Sequence, residues 1–167
     1  VAYRNETRLI DQVLFEDNAA FLVAPDTFTG NGGAIWLDVE SVGQFGDTSV
    51  VQSSSFINNR AETQGGGLWT GRPMTIENVT WFGNQAYNPA VTDPNSWRRG
   101  SGGAFASAES VRVAVFNNTI VGNTAGHDGG GIYGENNMLA NTIIANNVSL
   151  AANAQHQNCS HTVLNLG

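Results

Sequence analysis

Charge is in short supply in this chain. Only 13% of the 167 residues are charged, seven basic against fourteen acidic, giving a net charge of −7. A nucleic-acid surface would be basic and an anionic membrane face calls for cations, so neither is expected as a partner. Cysteine is scarcer still. Cys159 stands alone and cannot close a disulfide within the chain. No apolar run approaches the roughly 20 residues that cross a bilayer as a helix, so no membrane span is expected. Lys and Glu are few, whereas Gly numbers 20 and Asn matches it. With abundant Thr and Val, this composition disfavours helices and favours short strands joined by tight turns. Apolar residues make up 41% and are regularly placed, which argues against disorder. At this length one domain with a sizeable core is expected. There is no signal peptide or initiator Met, and the chain opens in mid-pattern at Val1, which reads as a segment of a longer secreted chain.

What the chain does have is a repeat. A glycine-rich element recurs as Gly32-Gly33-Ala34-Ile35-Trp36, Gly65-Gly66-Gly67-Leu68-Trp69, Gly102-Gly103-Ala104-Phe105-Ala106 and Gly129-Gly130-Gly131-Ile132-Tyr133. Alternating with it is a large apolar residue followed three positions later by Asn: Phe15 to Asn18, Phe56 to Asn59, Trp81 to Asn84, Ile120 to Asn123 and Ile143 to Asn146. Strict alternation of two elements marks a repeat architecture. The Asn-to-Asn intervals are 41, 25, 39 and 23 residues, a fixed unit with 16 extra residues in alternate turns. The runs between the elements, such as Ser49-Val50-Val51-Gln52, Met74-Thr75-Ile76-Glu77 and Val113-Ala114-Val115, are β-type and lack helical spacing. Short strands within such a unit form one coil of a parallel solenoid, coils lying about 4.8 Å apart and creating the core by stacking. The expected fold is therefore all-β, a right-handed parallel β-helix of five to six coils. A single domain covers 1–167, with lateral insertions at 19–31, 37–48 and 85–101 and an irregular tail at 148–162.

The recurring residues then acquire physical roles. Gly32, Gly65, Gly102 and Gly129 turn corners where a Cβ would clash or φ is positive. Asn18, Asn59, Asn84, Asn123 and Asn146 end strands in tight turns, where a short amide side chain tolerates the left-handed region. Stacked coil on coil, their amides form a hydrogen-bonded ladder. Trp36, Trp69 and Tyr133 each follow a core position, so alternation turns them outward as an aromatic column.

Gly-Gly-Ala-Ile followed by Phe-x-x-Asn resembles the repeats of chlamydial-type polymorphic outer-membrane proteins. It is also similar to bacterial right-handed parallel β-helix proteins of the pectin-lyase-like fold. The most typical stretches are Asn118-Thr119-Ile120-Val121-Gly122-Asn123-Thr124-Ala125, Gly129 to Tyr133, and Asn141-Thr142-Ile143-Ile144-Ala145-Asn146. The resemblance covers residues 9–167. Its departures are Ala106 in place of an aromatic residue and the insertions at 19–31 and 85–101. It implies secreted or cell-surface proteins, often adhesins, autotransporter passengers or extracellular structural material.

Candidate chemistry is thin. Pectin-lyase-like enzymes use clustered carboxylates on one face. Here Glu16-Asp17 gives way at the matching positions to Ile57-Asn58, Phe82-Gly83, Val121-Gly122 and Ile144-Ala145, so no carboxylate column forms. Asp38, Glu40 and Asp47 share one loop, but a calcium site needs about six or more oxygens, and solvated loop charges are the simpler reading. Gly126-His127-Asp128-Gly129 resembles an element of β-helical glycosidases without their paired aspartates, so a polar turn is the better reading. His156, Cys159 and His161 lie near one another without metal-ligand spacing. Sequons at Asn5, Asn78, Asn117, Asn147 and Asn158 are candidate glycan sites. Tyr87, Trp97, Arg98 and Arg99 concentrate aromatic and basic character in the largest loop, suited to docking a neighbour or stacking on a sugar. The sequence thus points to a non-enzymatic extracellular or cell-surface structural or adhesive segment, with no catalytic residues, metal or cofactor. Copies of itself or another extracellular protein are the expected partners. A carbohydrate-active enzyme or degenerate relative and a glycan-binding module are the alternatives.

Overall fold

In a computed structural model, residues 8–22, 29–37, 49–152, 156–161 and 163–165 are described. The chain winds through short strands, four to a coil. The first coil contains β1 (Arg8–Asp11), β2 (Leu14–Glu16), β3 (Ala19–Ala20) and β4 (Ile35–Leu37). The second contains β5 (Ser49–Gln52), β6 (Ser55–Ile57), β7 (Arg60–Ala61) and β8 (Leu68–Thr70). The third contains β9 (Met74–Glu77), β10 (Thr80–Phe82), β11 (Gln85–Ala86) and β12 (Phe105–Ser107). The fourth contains β13 (Arg112–Phe116), β14 (Thr119–Val121), β15 (Thr124–Ala125) and β16 (Ile132–Tyr133). The fifth contains β17 (Asn136–Ala140), β18 (Ile143–Ala145) and β19 (Val148–Ser149), and β20 (Leu164–Asn165) begins a sixth.

Equivalent strands of successive coils pair in parallel. The result is four sheets running along the stack, ordered β1-β5-β9-β13-β17-β20, β2-β6-β10-β14-β18, β3-β7-β11-β15-β19 and β4-β8-β12-β16. This is a parallel β-helix. The apolar residue of each coil falls in register with its counterparts, so the core is built of columns. Phe15 stacks on Phe56 (ring centroids 4.6 Å) and Phe56 on Trp81 (4.1 Å), with Trp81 tilted against Phe105 (5.6 Å). Phe56, Trp81, Phe105, Leu68, Ile120 and Ile132 are fully buried, each contributing about 1.5–3 kcal/mol relative to exposure.

Two of the turns in each coil, besides the glycine corner, pass through the left-handed region. Gln12, Ser53, Asn78, Asn117 and Asn141 take positive φ between the first and second sheets. Asp17, Asn58, Gly83, Gly122 and Asn146 do so between the second and third. Short polar side chains or glycine are the residues that tolerate this conformation. The residue expected there was the ladder asparagine, but the left-handed residue is its predecessor. The asparagine itself resumes ordinary backbone and points its amide inward.

The ranges expected as insertions and tail begin or end in ordered strand. Residues 19–20 form β3, 85–86 form β11 and 148–149 form β19. Cys159 pairs with Ile132 in an isolated parallel bridge, and Gly131 and Ile132 both donate backbone N–H to the Asn158 carbonyl. Residues 158–160 therefore occupy the fifth-coil position beside β16, where an irregular tail was expected. They escape the repeat signature because they carry no paired glycines. Most of the 37–48 excursion, with Asp38, Glu40 and Asp47, lies outside the described residues.

Candidate functional site

The inner face of the second turn holds a continuous amide ladder. Asn18 Nδ2 donates to Asn59 Oδ1 (2.9 Å), Asn59 Nδ2 to Asn84 Oδ1 (2.9 Å), Asn84 Nδ2 to Asn123 Oδ1 (2.9 Å) and Asn123 Nδ2 to Asn147 Oδ1 (2.9 Å). Each Oδ1 also accepts the backbone N–H of the previous rung, as at Asn59 N to Asn84 Oδ1 (3.0 Å). Buried amides this well satisfied specify one register, because a slipped coil orphans them.

The fifth rung is Asn147, and Asn146, the residue expected there, is exposed with φ 55°. The doublets Ile143-Ile144 and Asn146-Asn147 make the three-residue spacing ambiguous by one position. Pairing of Ile120 with Ile144 resolves it: Ile144 joins the core, while Ile143 is 61% exposed. Gly83-Asn84 and Gly122-Asn123, where glycine precedes the rung, are consistent with this register. A further rung comes from Asn158, whose Oδ1 accepts from Asn147 Nδ2 (3.0 Å).

This geometry decides two of the five sequons. Asn147 is buried and Asn158 half-buried, both with side chains committed to the ladder, so neither offers an amide to a glycan in the folded chain. Asn78 and Asn117 are exposed at left-handed turn positions. Asn5 lies outside the described residues.

The corner glycines Gly32, Gly65, Gly102 and Gly129 have φ of 62°, 67°, 71° and 60°. They launch the fourth sheet, whose outer face carries the aromatic column. Register aligns Trp36 with Trp69, Trp69 with Ala106, and Ala106 with Tyr133. Trp36 is 55% exposed, and its ring lies 6.2 Å from that of Trp69. Trp69 Nε1 donates to Gln64 Oε1 (3.0 Å). A cleft of about 420 Å³ runs along this column, lined by Trp36, Trp69 and Tyr133 and by the polar Asn31, Gln64 and Glu109. Burial, then Asp128, Glu109 and Glu135, raise the Tyr133 hydroxyl above its usual pKa. Asn31, Gln64 and Glu109 were not singled out from sequence: Asn31 and Gln64 share the position before the corner glycine, but the residue type there changes to Ser101 and Asp128 in later coils.

The long loop leaves the helix at Tyr87 and returns at Gly100, its base closed by Asn88 N to Arg99 O (2.9 Å). Within it, Trp97 to Arg99 form a 3-10 turn. The Arg99 guanidinium lies over the Tyr87 ring (5.3 Å) and donates to the Leu150 carbonyl (3.1 Å), and so ties the loop to the body of the helix. Arg98 lies over Trp97 (5.6 Å), which is 50% exposed. The four residues thus divide into an anchoring pair and an outward pair.

The remaining candidates separate. His127 Nδ1 lies 3.5 Å from Ser101 Oγ. Asp128 engages His156 Nδ1 (3.3 Å) and the Gly129 N–H (2.8 Å), which makes this stretch a polar turn. His161 pairs with Ser160 Oγ (2.7 Å) and packs its edge on Tyr133. Cys159 faces the core, where burial pushes its thiol up to about 11. His156, Cys159 and His161 do not converge. Among the described residues no group of three or more His, Cys, Asp or Glu side chains is placed to hold a metal, and no helix is long and apolar enough to cross a membrane.

Comparison with known families gives a match to the Chlamydia polymorphic membrane protein repeat at residues 12–38, 53–71 and 119–135. The matches run through the glycine corner and past the aromatic position of the first, second and fourth coils, the first two starting at the left-handed Gln12 and Ser53 and the third at Thr119. The third coil, with its long loop and Ala106, falls outside it. No curated protein and no solved structure gives a significant match. The chain is a parallel β-helix repeat protein that resembles the polymorphic membrane proteins, three of its stretches matching their repeat.

Proposed function

We propose that this chain is a non-enzymatic, surface-exposed structural and adhesive segment that stacks head to tail with copies of itself. The observation that supports the reading is the stack itself, in which each coil offers the next a row of strand edges and a ladder rung. Among the described residues strands β1 to β4 pair with the second coil alone; Leu9 and Leu14, each 59% exposed, lie on the outer flank of these edge strands, in register with Val50 and Ser55. Phe15 has one ring face on Phe56. Asn18 donates to Asn59, while among the described residues no donor reaches its own Oδ1. Unpaired strand edges of this kind recruit another strand.

The ladder is polar, each rung donating to the next coil, so the coil that fits above Asn18 is one ending a ladder. Asn158 accepts from Asn147 and is the rung placed to donate onward. Such an interface is heterologous and generates open filaments. The repeat's family supports a surface setting.

Sedimentation velocity over a concentration series tests this. The wild type is expected to associate, and Leu14→Lys, a charge on the edge strand, is expected to abolish association without lowering thermal stability. A wild type that stays monomeric at the highest soluble concentration overturns the proposal.

A further inference from the structure

We propose that the cleft along the fourth sheet binds an uncharged oligosaccharide. The rings of Trp36, Trp69 and Tyr133 stack on sugar faces, while Gln64, Asn31 and Glu109 meet the hydroxyls. This deepens the adhesive part of the reading above and does not depend on self-association.

Indoles set in register on successive coils, Trp36 exposed and Trp69 half-buried, form a row with the coil pitch of about 4.8 Å between rungs. That row suits a linear ligand made of repeating rings. Ala106 interrupts it between Trp69 and Tyr133, and the cleft passes there alongside Glu109. Its volume, about 420 Å³, falls within the range of small-molecule sites, which combine aromatic walls with a few placed polar groups.

The polar groups are held in place before any ligand arrives. Trp69 is fixed by its N–H bond to Gln64. The Gln64 amide NH2 makes no hydrogen bond among the described residues, which leaves a donor at the cleft. Asn31 Oδ1 accepts from Thr63 Oγ1 and from Gln64 N (3.1 Å). Preorganisation of this kind lowers the entropy cost of binding.

Charge selects the ligand class. None of the lining residues is basic, and Asp128, Glu109 and Glu135 all act on Tyr133. Sulfated or sialylated glycans are therefore repelled. An organic cation would satisfy the charge, but recognition of a cation uses rings enclosing one point and acceptors alone. Here the rings stand in a row, and the Gln64 amide and the protonated Tyr133 hydroxyl add donors, a mixture matched to hydroxyl groups.

The test is titration calorimetry of the whole chain against cello-, chito-, manno- and galacto-oligosaccharides, with a sulfated oligosaccharide and tetramethylammonium alongside. At least one uncharged series is expected to bind, and Trp36→Ala to weaken it tenfold or more. Tyr133→Ala, which removes the ring on the far side of Ala106, is expected to weaken it similarly while keeping the fold by circular dichroism. Trp97→Ala is expected to leave it unchanged. Absence of binding by every uncharged series overturns the proposal. So does binding insensitive to both Trp36→Ala and Tyr133→Ala, or tetramethylammonium binding lost in Glu109→Gln. Sedimentation of the same variants separates this outcome from failure of self-association.

Discussion

The asparagine at the second turn is the residue on which coil register rests. Asn84 is fully buried. It accepts from Asn59 N and Nδ2 and donates to the Phe56 carbonyl and Asn123 Oδ1. Asn84→Ala removes four hydrogen bonds to buried partners, each worth about 0.5–1.5 kcal/mol, so a loss of about 3 kcal/mol in chemical denaturation is expected. The same assay distinguishes the two candidates for the fifth rung. Asn147→Ala is expected to cost several times more than Asn146→Gly, which places glycine at an exposed φ of 55° and changes stability by under about 1 kcal/mol. Cys159 gives a pH-dependent counterpart. Its thiol is raised from 9.0 to about 11 in the fold by burial. Between those values the unfolded chain loses a proton that the folded chain keeps, so stability is full below pH 9 and falls as pH rises toward 11. The linkage amounts to about 2–3 kcal/mol. Cys159→Ser should flatten the stability profile across that window, while an unchanged slope would assign it to other groups.

At the scale of the element, two kinds of glycine that look alike in sequence do different work. Gly103 follows the positive-φ corner, and a Cβ there would lie 2.1 Å from the Gly130 carbonyl oxygen and 2.6 Å from Thr124 N. Both are backbone atoms of the next coil, so Gly103→Ala forces coils apart at the sheet spacing and is expected to abolish cooperative unfolding. Gly122 has φ 69°, yet the nearest atom to an added Cβ is a Phe82 ring carbon at 3.4 Å. Other coils carry Asp17, Asn58 and Asn146 at the same place, so Gly122→Asn should change stability by under about 1 kcal/mol. Recurrence alone reveals the coil, the glycine corner, the interior columns and the outward aromatic face, because each depends on side-chain period and on what glycine permits. It does not reveal that the left-handed residue precedes the ladder asparagine. Φ-x-x-Asn fits both registers wherever apolar and Asn doublets coincide, and only inter-coil pairing chooses between Ile143 and Ile144. The rung from Asn158 is hidden for a related reason. It joins the ladder 11 residues after Asn147, by a path with no paired glycines, so no spacing announces it. The cleft is equally silent in sequence, since its polar residues come from Asn31, Gln64 and Glu109, whose proximity exists only once the coils are stacked.

In the whole molecule each coil touches only its neighbours, so stability is a sum of coil terms and nearest-neighbour interfaces. The central coils have a partner on both sides, and their strands β9 and β13 pair with β5 and β17 beyond them. Among the described residues the first coil has a partner on one side, where Phe15 stacks on the second coil's Phe56 and Asn18 donates to its Asn59. At the far end the ladder is closed once more by Asn158, and β20 continues the first sheet over β17. The two ends therefore differ. Local opening should be cheapest at β1 to β4, intermediate at the fifth coil and costliest at the second to fourth coils. Native-state amide hydrogen exchange reads this directly. Protection should peak in β6, β9, β10, β13 and β14 and be lowest in β1 to β3. If the first coil stacks on a second copy, protection of β1 to β4 must rise with protein concentration while that of β9 and β13 stays constant. Leu14→Lys should hold it at the dilute value. A concentration-independent profile would mean that the open face of the first coil takes no second copy, and uniform protection from β1 to β20 would mean that the stack opens as one unit.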